Sequence, residues 1–402
     1  MARALYVAPF GEGHVNPTIG LVRELVTRGE EIVYYSNNKF KAKIESTGAE
    51  FRPTAVDMEQ LLKRFVKNGM FIKPNQSTQF PDMLGMMETI ADKILEETKH
   101  EMYDYILYDA QTLAGTWIAK RLNLPSISTW TVFASISPSR MMKQMLEKNK
   151  HLMERFNHMK EQFLQSKERI EAKYGIALAP PPQSMMCEGE LNIVFTSQHL
   201  QGDVPQSGAP YLFVGPSIAD RKDQGDFPIH KLKEGPVVFI SLGTIANNHP
   251  AFYRLCFEAL NDLDALVVLS IGNNLKVEEL EPFPDNFIVR NYVPQLDVLR
   301  HADAFVTHCG MNSTHEGLYY HVPLVMLPLV NDQPIVAERV KQLGAGILLD
   351  FNHLDAATLK NAVGEALSNP VYKRNAQRIG KSFREAGGYV KAADEILKFV
   401  NQ

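Results

Sequence analysis

Polar side chains crowd one turn of this chain, His308-Cys-Gly-Met-Asn-Ser-Thr-His-Glu-Gly317, and Asp332-Gln333 follow further on. The turn lies between the apolar run Ala304–Thr307, which reads as a short buried strand, and a helical segment. A glycine-containing turn from strand to helix aims backbone N–H groups and a positive dipole end at one spot. Phosphate binds well there without a lysine. His308, Asn312, Ser313 and Glu316 add enough polar capacity for a sugar or ribose, so the turn is a candidate sugar-nucleotide site. Ser313-Thr-His-Glu316 also fits a capping box, the commoner reading of an isolated S-x-x-E. Two further polar turns in the same half favour function: Ser241-Leu-Gly-Thr244 directly behind a strand, and Asp332 ahead of Gln333-Pro334 at a helix start.

A second kind of chemistry lies near the N-terminus. Gly11-Glu-Gly-His-Val-Asn-Pro17 follows the first strand, but Asn16 stands where a dinucleotide fingerprint needs its third glycine. Asn16 as N-cap and Pro17 at the first helical position predict a helix over about Pro17 to Arg28, with His14 just ahead of it. The nearby dipole end disfavours imidazolium and keeps His14 able to accept a proton. Asp109 ends the strand Tyr105–Tyr108, so parallel topology puts it on the same rim as His14. An Asp bonded to one imidazole nitrogen fixes the tautomer and stabilises the charge when the other takes a proton. The plainer readings are a turn histidine satisfied by backbone and a carboxylate capping the next helix.

Other patterns carry less. Asp262-Leu-Asp264 has the form of a metal-holding D-x-D, yet it precedes the strand Leu266–Ile271 and so lies on the opposite rim. Cys309 beside His308 is no nucleophilic pair on sequence adjacency alone. There is neither a G-x-S-x-G elbow nor a P-loop.

The elements that must position these residues alternate. Leu5–Pro9, Glu31–Ser36, Tyr105–Tyr108 and Ser126–Thr129 read as strands, with helices near Pro17–Arg28 and Thr112–Leu122. Residues Pro216 to Pro228 are polar and broken by Gly and Pro, as a linker is. A second series follows: Val237–Ser241, a helix near Phe252–Leu260, Leu266–Ile271, Phe287–Arg290, Ala304–Thr307 and Leu324–Leu327. Strands alternating with helices mean βαβ units and parallel sheets. The expected architecture is α/β: two doubly wound Rossmann-like domains facing each other across a cleft, with ligands at the C-terminal rims. The boundaries read as 1–215, a linker at 216–235, and 236–402 with a last helix that can pack back on the first domain.

Size and charge agree. At 402 residues, two domains are the natural prior. Hydrophobic residues at 45% and charged residues at 22% match a globular enzyme. With a net charge of −4, nothing in the charge balance argues for nucleic acid or an anionic membrane surface as partner. Three scattered cysteines (Cys187, Cys256, Cys309) match no zinc spacing and suggest a reducing compartment. No apolar run spans a bilayer, and the cytoplasm is the expected location. Residues 141–173 predict one long helix with Met145, Leu152, Phe156, Met159, Phe163 and Ile170 on one face. Met83, Met86, Met87, Met141 and Met142 add a methionine-rich surface that suits varied apolar ligands, although a packed core is the commoner use.

Taken together, Tyr292-Val-Pro-Gln295, His308-Cys-Gly-Met-Asn-Ser313, Glu316 and Asp332-Gln333 resemble the donor signature of the UDP-glycosyltransferase superfamily. Gly13-His14…Pro17 and Asp109 resemble its catalytic dyad. The resemblance covers nearly the whole chain and is nearest to bacterial macrolide- and flavonoid-modifying members. It implies the GT-B fold and inverting transfer of glucose from UDP-glucose to a small hydrophobic acceptor bearing a hydroxyl. By position, Tyr292 would stack on uracil and the Val293 backbone would bond its edge. Gln295 and Glu316 would face the ribose. His308, Gly310, Asn312, Ser313, Ser241 and Thr244 would hold the diphosphate, and Asp332 and Gln333 the sugar. His14 would be the base, oriented by Asp109, with no metal or other cofactor required. Plant members usually carry Trp where this chain has Tyr292 and Met311, so the stacking face is smaller here. Two other readings are a GT-B enzyme acting on a lipid-linked acceptor and a non-catalytic sugar-nucleotide sensor. The mixed charge of 141–173 opposes the first, and the presence of both His14 and Asp109 opposes the second.

Overall fold

The computed structural model describes residues 2–57, 82–134, 150–179, 186–203, 208–219, 226–244 and 247–402; for 150–156, 158 and 159 it describes the backbone alone. Met141, Met142 and Met145, the side chains of Leu152, Phe156 and Met159, and residues 220–225 of the predicted linker lie outside that description.

The chain divides into two compact units. The first comprises Met1–Thr196, Gln201–Ser217 and Gly387–Gln402, and the second Ser197–Leu200 and Ile218–Ala386. Residues 387–402 thus belong with the first unit and not with 236–386.

In the first unit the strands are β1 (Arg3–Val7), β2 (Glu31–Ser36), β3 (Glu50–Pro53), β4 (Tyr105–Asp109), β5 (Ser126–Trp130), β6 (Leu191–Val194) and β7 (Tyr211–Phe213). Among the described residues they form one sheet in the order β3-β2-β1-β4-β5-β6-β7, all neighbours parallel. Both faces are covered, which is why the central strands β1, β2 and β4 are apolar at most positions. Tyr6, Tyr34 and Tyr105 point to one face, against Leu21, Val22 and Leu25 of the helix Glu12–Thr27 and Ala392, Ala393 and Ile396 of the helix Gly388–Val400. Leu5, Val7, Val33 and Ile106 point to the other, against Trp117, Ile90 and Ile94. Burying each such aliphatic side chain contributes about 1.5–3 kcal/mol. The buried tyrosines keep their hydroxyls bonded, Tyr6 to Thr129 at 2.9 Å and Tyr34 to Thr18 at 2.8 Å. Gly20 lets the first and last helices approach closely, since a Cβ there would lie 2.8 Å from the Tyr389 ring.

The helix predicted over 141–173 is present as Lys150–Tyr174, and its Phe163 and Ile170 are core residues. Met87 is buried in the same core, and Met83 and Met86 pack against it, so these methionines fill the interior.

One expectation fails at the first helix. It begins at Glu12 with Gly11 as N-cap, and Pro17 lies inside it. Asn16 therefore caps nothing; its side-chain oxygen accepts from Lys43 Nζ at 2.9 Å. A proline marks where a helix can start, but a turn can precede it if one backbone bond is forgone, and Glu12 suits a first turn.

The second unit carries β8 (Val237–Ser241), β9 (Leu266–Ser270), β10 (Phe287–Arg290), β11 (Ala304–Thr307), β12 (Leu324–Met326) and β13 (Gly346–Leu348). Among the described residues they form a parallel sheet in the order β10-β9-β8-β11-β12-β13. Each sheet reverses its strand order beside the first strand of its unit, β1 or β8, the switch point at which open α/β sheets bind ligands. Val238, Ile240, Val267, Leu269 and Val306 form the larger core with Tyr253, Phe257 and Val363. Phe239 and Phe305 stack on the opposite face, ring centroids 4.7 Å apart. Among the described residues no helix is long and apolar enough to cross a membrane.

Candidate functional site

In the first unit the C-terminal rim gathers three groups. Val7 pairs with Tyr108 across β1 and β4, which brings the turn after β1 beside the end of β4. His14, in the first turn of its helix, places Nδ1 at 2.8 Å from Asp109 Oδ2. The other carboxylate oxygen accepts the Gln111 backbone N–H at 2.9 Å. The helix Leu113–Leu122 has Thr112 as its N-cap, so Asp109 does not cap it: one carboxylate oxygen orders the turn ahead of that helix, and the other meets the imidazole. Asp109 is 1% exposed and His14 20%, so the carboxylate is buried while the ring is partly exposed. Phe10 lies against the imidazole, centroids 5.1 Å apart.

The sequence reading missed Thr131, whose Oγ1 lies 3.1 Å from His14 Nδ1. It stands one residue beyond β5, the neighbour of β4, and that rim position was the available signal.

The second unit gathers the turns after β8, β10, β11 and β12. The helix Met311–Tyr319 starts immediately behind Gly310, with no side-chain cap. Ser313 is thus within the first turn and the capping-box reading of Ser313 and Glu316 is wrong. Asn312 and Ser313 sit partly exposed among the N–H groups of that turn. Glu316 is buried and accepts from Gln295 Nε2 at 2.5 Å, joining this helix to Gln295–Leu299.

His308 is seated between two glycines. A Cβ on Gly243 would meet its Cε1 at 2.5 Å, and one on Gly310 its Nε2 at 2.5 Å. Gly243 also has φ of +77°, where a side chain is strained. Burial pushes the imidazole down to about 4, with the Ser241 main chain opposing, so it is neutral at physiological pH. Ser241 Oγ accepts from the Gly243 N–H at 3.2 Å, which closes the turn, and Thr244 is exposed beyond it. Cys309 adopts φ of +61° and is wholly buried, and burial pushes its thiol up to about 12. It is a poor nucleophile.

Tyr292 is 60% exposed at the rim, beside buried Val293. Asp332 occupies the N-cap position of the helix Gln333–Gln342 without a side-chain cap bond. Gln333 uses its oxygen to accept from the Leu329 and Val330 N–H groups at 2.8 and 3.0 Å, so its amide nitrogen is the end that can donate to a ligand. Asp262 pairs with Lys360 at 2.5 Å, ahead of β9, at the end of the sheet away from these turns. Among the described residues no group of three or more His, Cys, Asp or Glu is placed to hold a metal ion.

Comparison with known proteins decides the family. Residues 228–386 match the model of the UDP-glucoronosyl and UDP-glucosyl transferases. The chain is 41% identical to an uncharacterized UDP-glucosyltransferase, YojK of Bacillus subtilis strain 168, over all of this chain and 98% of the relative. The chain belongs to the UDP-glycosyltransferase family. It is also 29% identical to the oleandomycin glycosyltransferase of Streptomyces antibioticus, over 96% of this chain and 87% of that one. The crystal structure of the kitacinnamycin glycotransferase superposes with a TM-score of 0.80 at 28% identity, over 99% of this chain and 98% of the other. This UDP-glycosyltransferase therefore has the GT-B fold that its two parallel sheets imply.

Proposed function

We propose that this enzyme transfers a hexose, glucose from UDP-glucose, with inversion and without a metal ion, to a hydroxyl of a small aromatic or polyketide acceptor such as a flavonoid or macrolide. Asp109 holds Nδ1–H of His14, so Nε2 is the nitrogen that takes the acceptor's hydroxyl proton. The acceptor oxygen attacks the anomeric carbon opposite the departing nucleotide. The bond from that carbon to the β-phosphate oxygen breaks, and its electron pair leaves on UDP. Negative charge growing there is met by N–H groups of the turn Gly310–Ser313 and by His308, acting as a neutral donor because burial keeps it uncharged. Ser241 and Thr244 complete the diphosphate contacts, and Asp332 and Gln333 bind the sugar. Tyr292 stacks on the base, the Val293 backbone bonds its edge, and Gln295 and Glu316 take the ribose hydroxyls.

The observation that carries the reading is the 2.8 Å pair of His14 and Asp109, because a nucleotide-sugar site alone would serve a sensor equally well. The names of the relatives, a UDP-glucosyltransferase and an oleandomycin glycosyltransferase, support the donor and the acceptor class. A cytoplasmic location goes with it; Cys187, Cys256 and Cys309 are free and buried. The test is mass spectrometry of purified protein with UDP-glucose, EDTA and a panel of phenols, flavonoids and macrolides. An acceptor gaining one hexose, and losing that gain in His14→Ala with UDP binding intact, is the expected result. UDP binding with no transfer to any acceptor would overturn the catalytic reading in favour of a sensor.

A further inference from the structure

Four turns of the second unit lie side by side on one rim, after β10, β9, β8 and β11 in sheet order. Carboxamide side chains tie three of them together. Asn291, at the end of β10, donates from Nδ2 to the carbonyls of Gly272 and Leu275 at 2.6 and 2.7 Å, and its own carbonyl accepts the Gly272 N–H at 2.9 Å. Asn247, behind β8, donates from Nδ2 to the Gly243 carbonyl at 2.7 Å, and its Oδ1 accepts from Asn274 Nδ2 at 2.6 Å. Its backbone carbonyl accepts the Tyr253 hydroxyl at 2.8 Å. Asn247 is 1% exposed, so both ends of its carboxamide are committed to protein partners. Gly272 has φ of +72°, and a side chain there would overlap the Asn247 carboxamide. The contacts thus run without a break from the residue preceding Tyr292 to Gly243, whose α-carbon packs on His308.

We propose that Asn247 is a positioning residue for the nucleotide sugar. It sets the Gly243 turn, and through it His308, at a fixed separation from the Tyr292 platform, and so makes the site selective for a nucleoside carrying two phosphates. This rests on the assignment of the Tyr292 and His308 turns to base and diphosphate. A buried amide that bonds two turns stores that separation in hydrogen bonds, and removing it lets the phosphate turn drift while the base platform, held by Asn291, stays.

The experiment compares uridine, UMP and UDP binding by calorimetry in the wild type and in Asn247→Ala, Asn247→Asp and Asn274→Ala. Asp keeps the acceptor for Asn274 but cannot donate to Gly243. UDP affinity should fall about tenfold in Asn247→Ala and Asn247→Asp, the scale of one or two lost hydrogen bonds, with uridine affinity unchanged. The KM for UDP-glucose should rise with the UDP dissociation constant. Asn274 is exposed, so Asn274→Ala is expected to fold and to carry a smaller loss of the same kind if the Asn247 variants do not fold. Equal losses for uridine and UDP, or none, in the folded variants would overturn the positioning role. Failure of the wild type to bind any uridine nucleotide would instead overturn the site assignment beneath it.

Discussion

Replacing Asp109 by Asn should cost more than its small change of shape suggests. The Gln111 N–H donates to Asp109 Oδ1 at 2.9 Å, so the amide oxygen of Asn must stay on that side and its NH2 must face His14. An NH2 donates; the imidazole then presents Nδ1 as acceptor and carries its proton on Nε2, the atom required to be bare. Removing the carboxylate also removes a charge partner from the imidazolium formed in the transition state. At about 4 Å and an effective dielectric near 20 that attraction is worth about 4 kcal/mol. With tenfold in rate for about 1.4 kcal/mol, kcat should fall roughly a thousandfold. Asp109→Ala is expected to retain more activity than Asp109→Asn, because Thr131 Oγ1, 3.1 Å from Nδ1, can still accept that proton and preserve the tautomer. The assay is product formation with UDP-glucose and two phenols, one neutral and one ionised at the assay pH. An ionised phenol needs no base, so its rate should drop far less. Equal loss for both phenols, or more than a tenth of wild-type kcat in the Asn variant with the neutral one, would refute the reasoning.

Gly243→Ala should lose nucleotide affinity by at least tenfold while the protein still folds, since the new methyl group would displace His308 and sit at positive φ, a strain of about 1 kcal/mol or more; undiminished UDP binding by calorimetry would count against His308 as a phosphate ligand. Tyr292→Ala should weaken uridine binding by about 1–3 kcal/mol, the usual worth of base stacking, and leave Tm nearly unchanged because the ring is 60% exposed. Burial pushes His308 down to about 4 and His315 to about 3, so below about pH 6.5 the unfolded chain binds more protons than the folded one. Their contribution to stability is complete above pH 6.5 and declines as pH falls towards 4. Tm should follow that course and decline less steeply in His315→Gln; parallel profiles would show that His315 is not held neutral.

The strands buried on both faces were legible because they are continuous apolar runs. Glu31–Ser36, Val237–Ser241, Phe287–Arg290 and Ala304–Thr307 are read with their observed ends. The strands left unread lack that signal. β3 is a polar edge strand ending in proline, and β7 and β13 are three-residue edges. β6 is broken by Asn192, which is buried yet satisfied by Ser128 at 2.7 Å and by the Gly189 N–H, partners distant or invisible to periodicity. Parallel topology put His14 and Asp109 on one rim, but their contact rests on β1 and β4 being neighbours, and the start of the helix bearing His14 was misplaced because Pro17 drew the boundary too late. Thr131 and the Asn247 contacts depend on which strands are neighbours, and a single sequence does not state that order.

Gly387 and Gly388, both at positive φ, send the chain out of the second unit, and residues 387–402 return to the first. In connectivity the second unit is therefore an insert within the first. During synthesis on a ribosome the first unit cannot be completed in order of appearance: the helix Glu12–Thr27 emerges early, but Ala392, Ala393 and Ile396, which cover the same core, emerge after the whole second sheet. An apolar surface near the N-terminus must wait through most of translation for its last cover, and a chain shortened to residue 386 would leave it without that cover permanently.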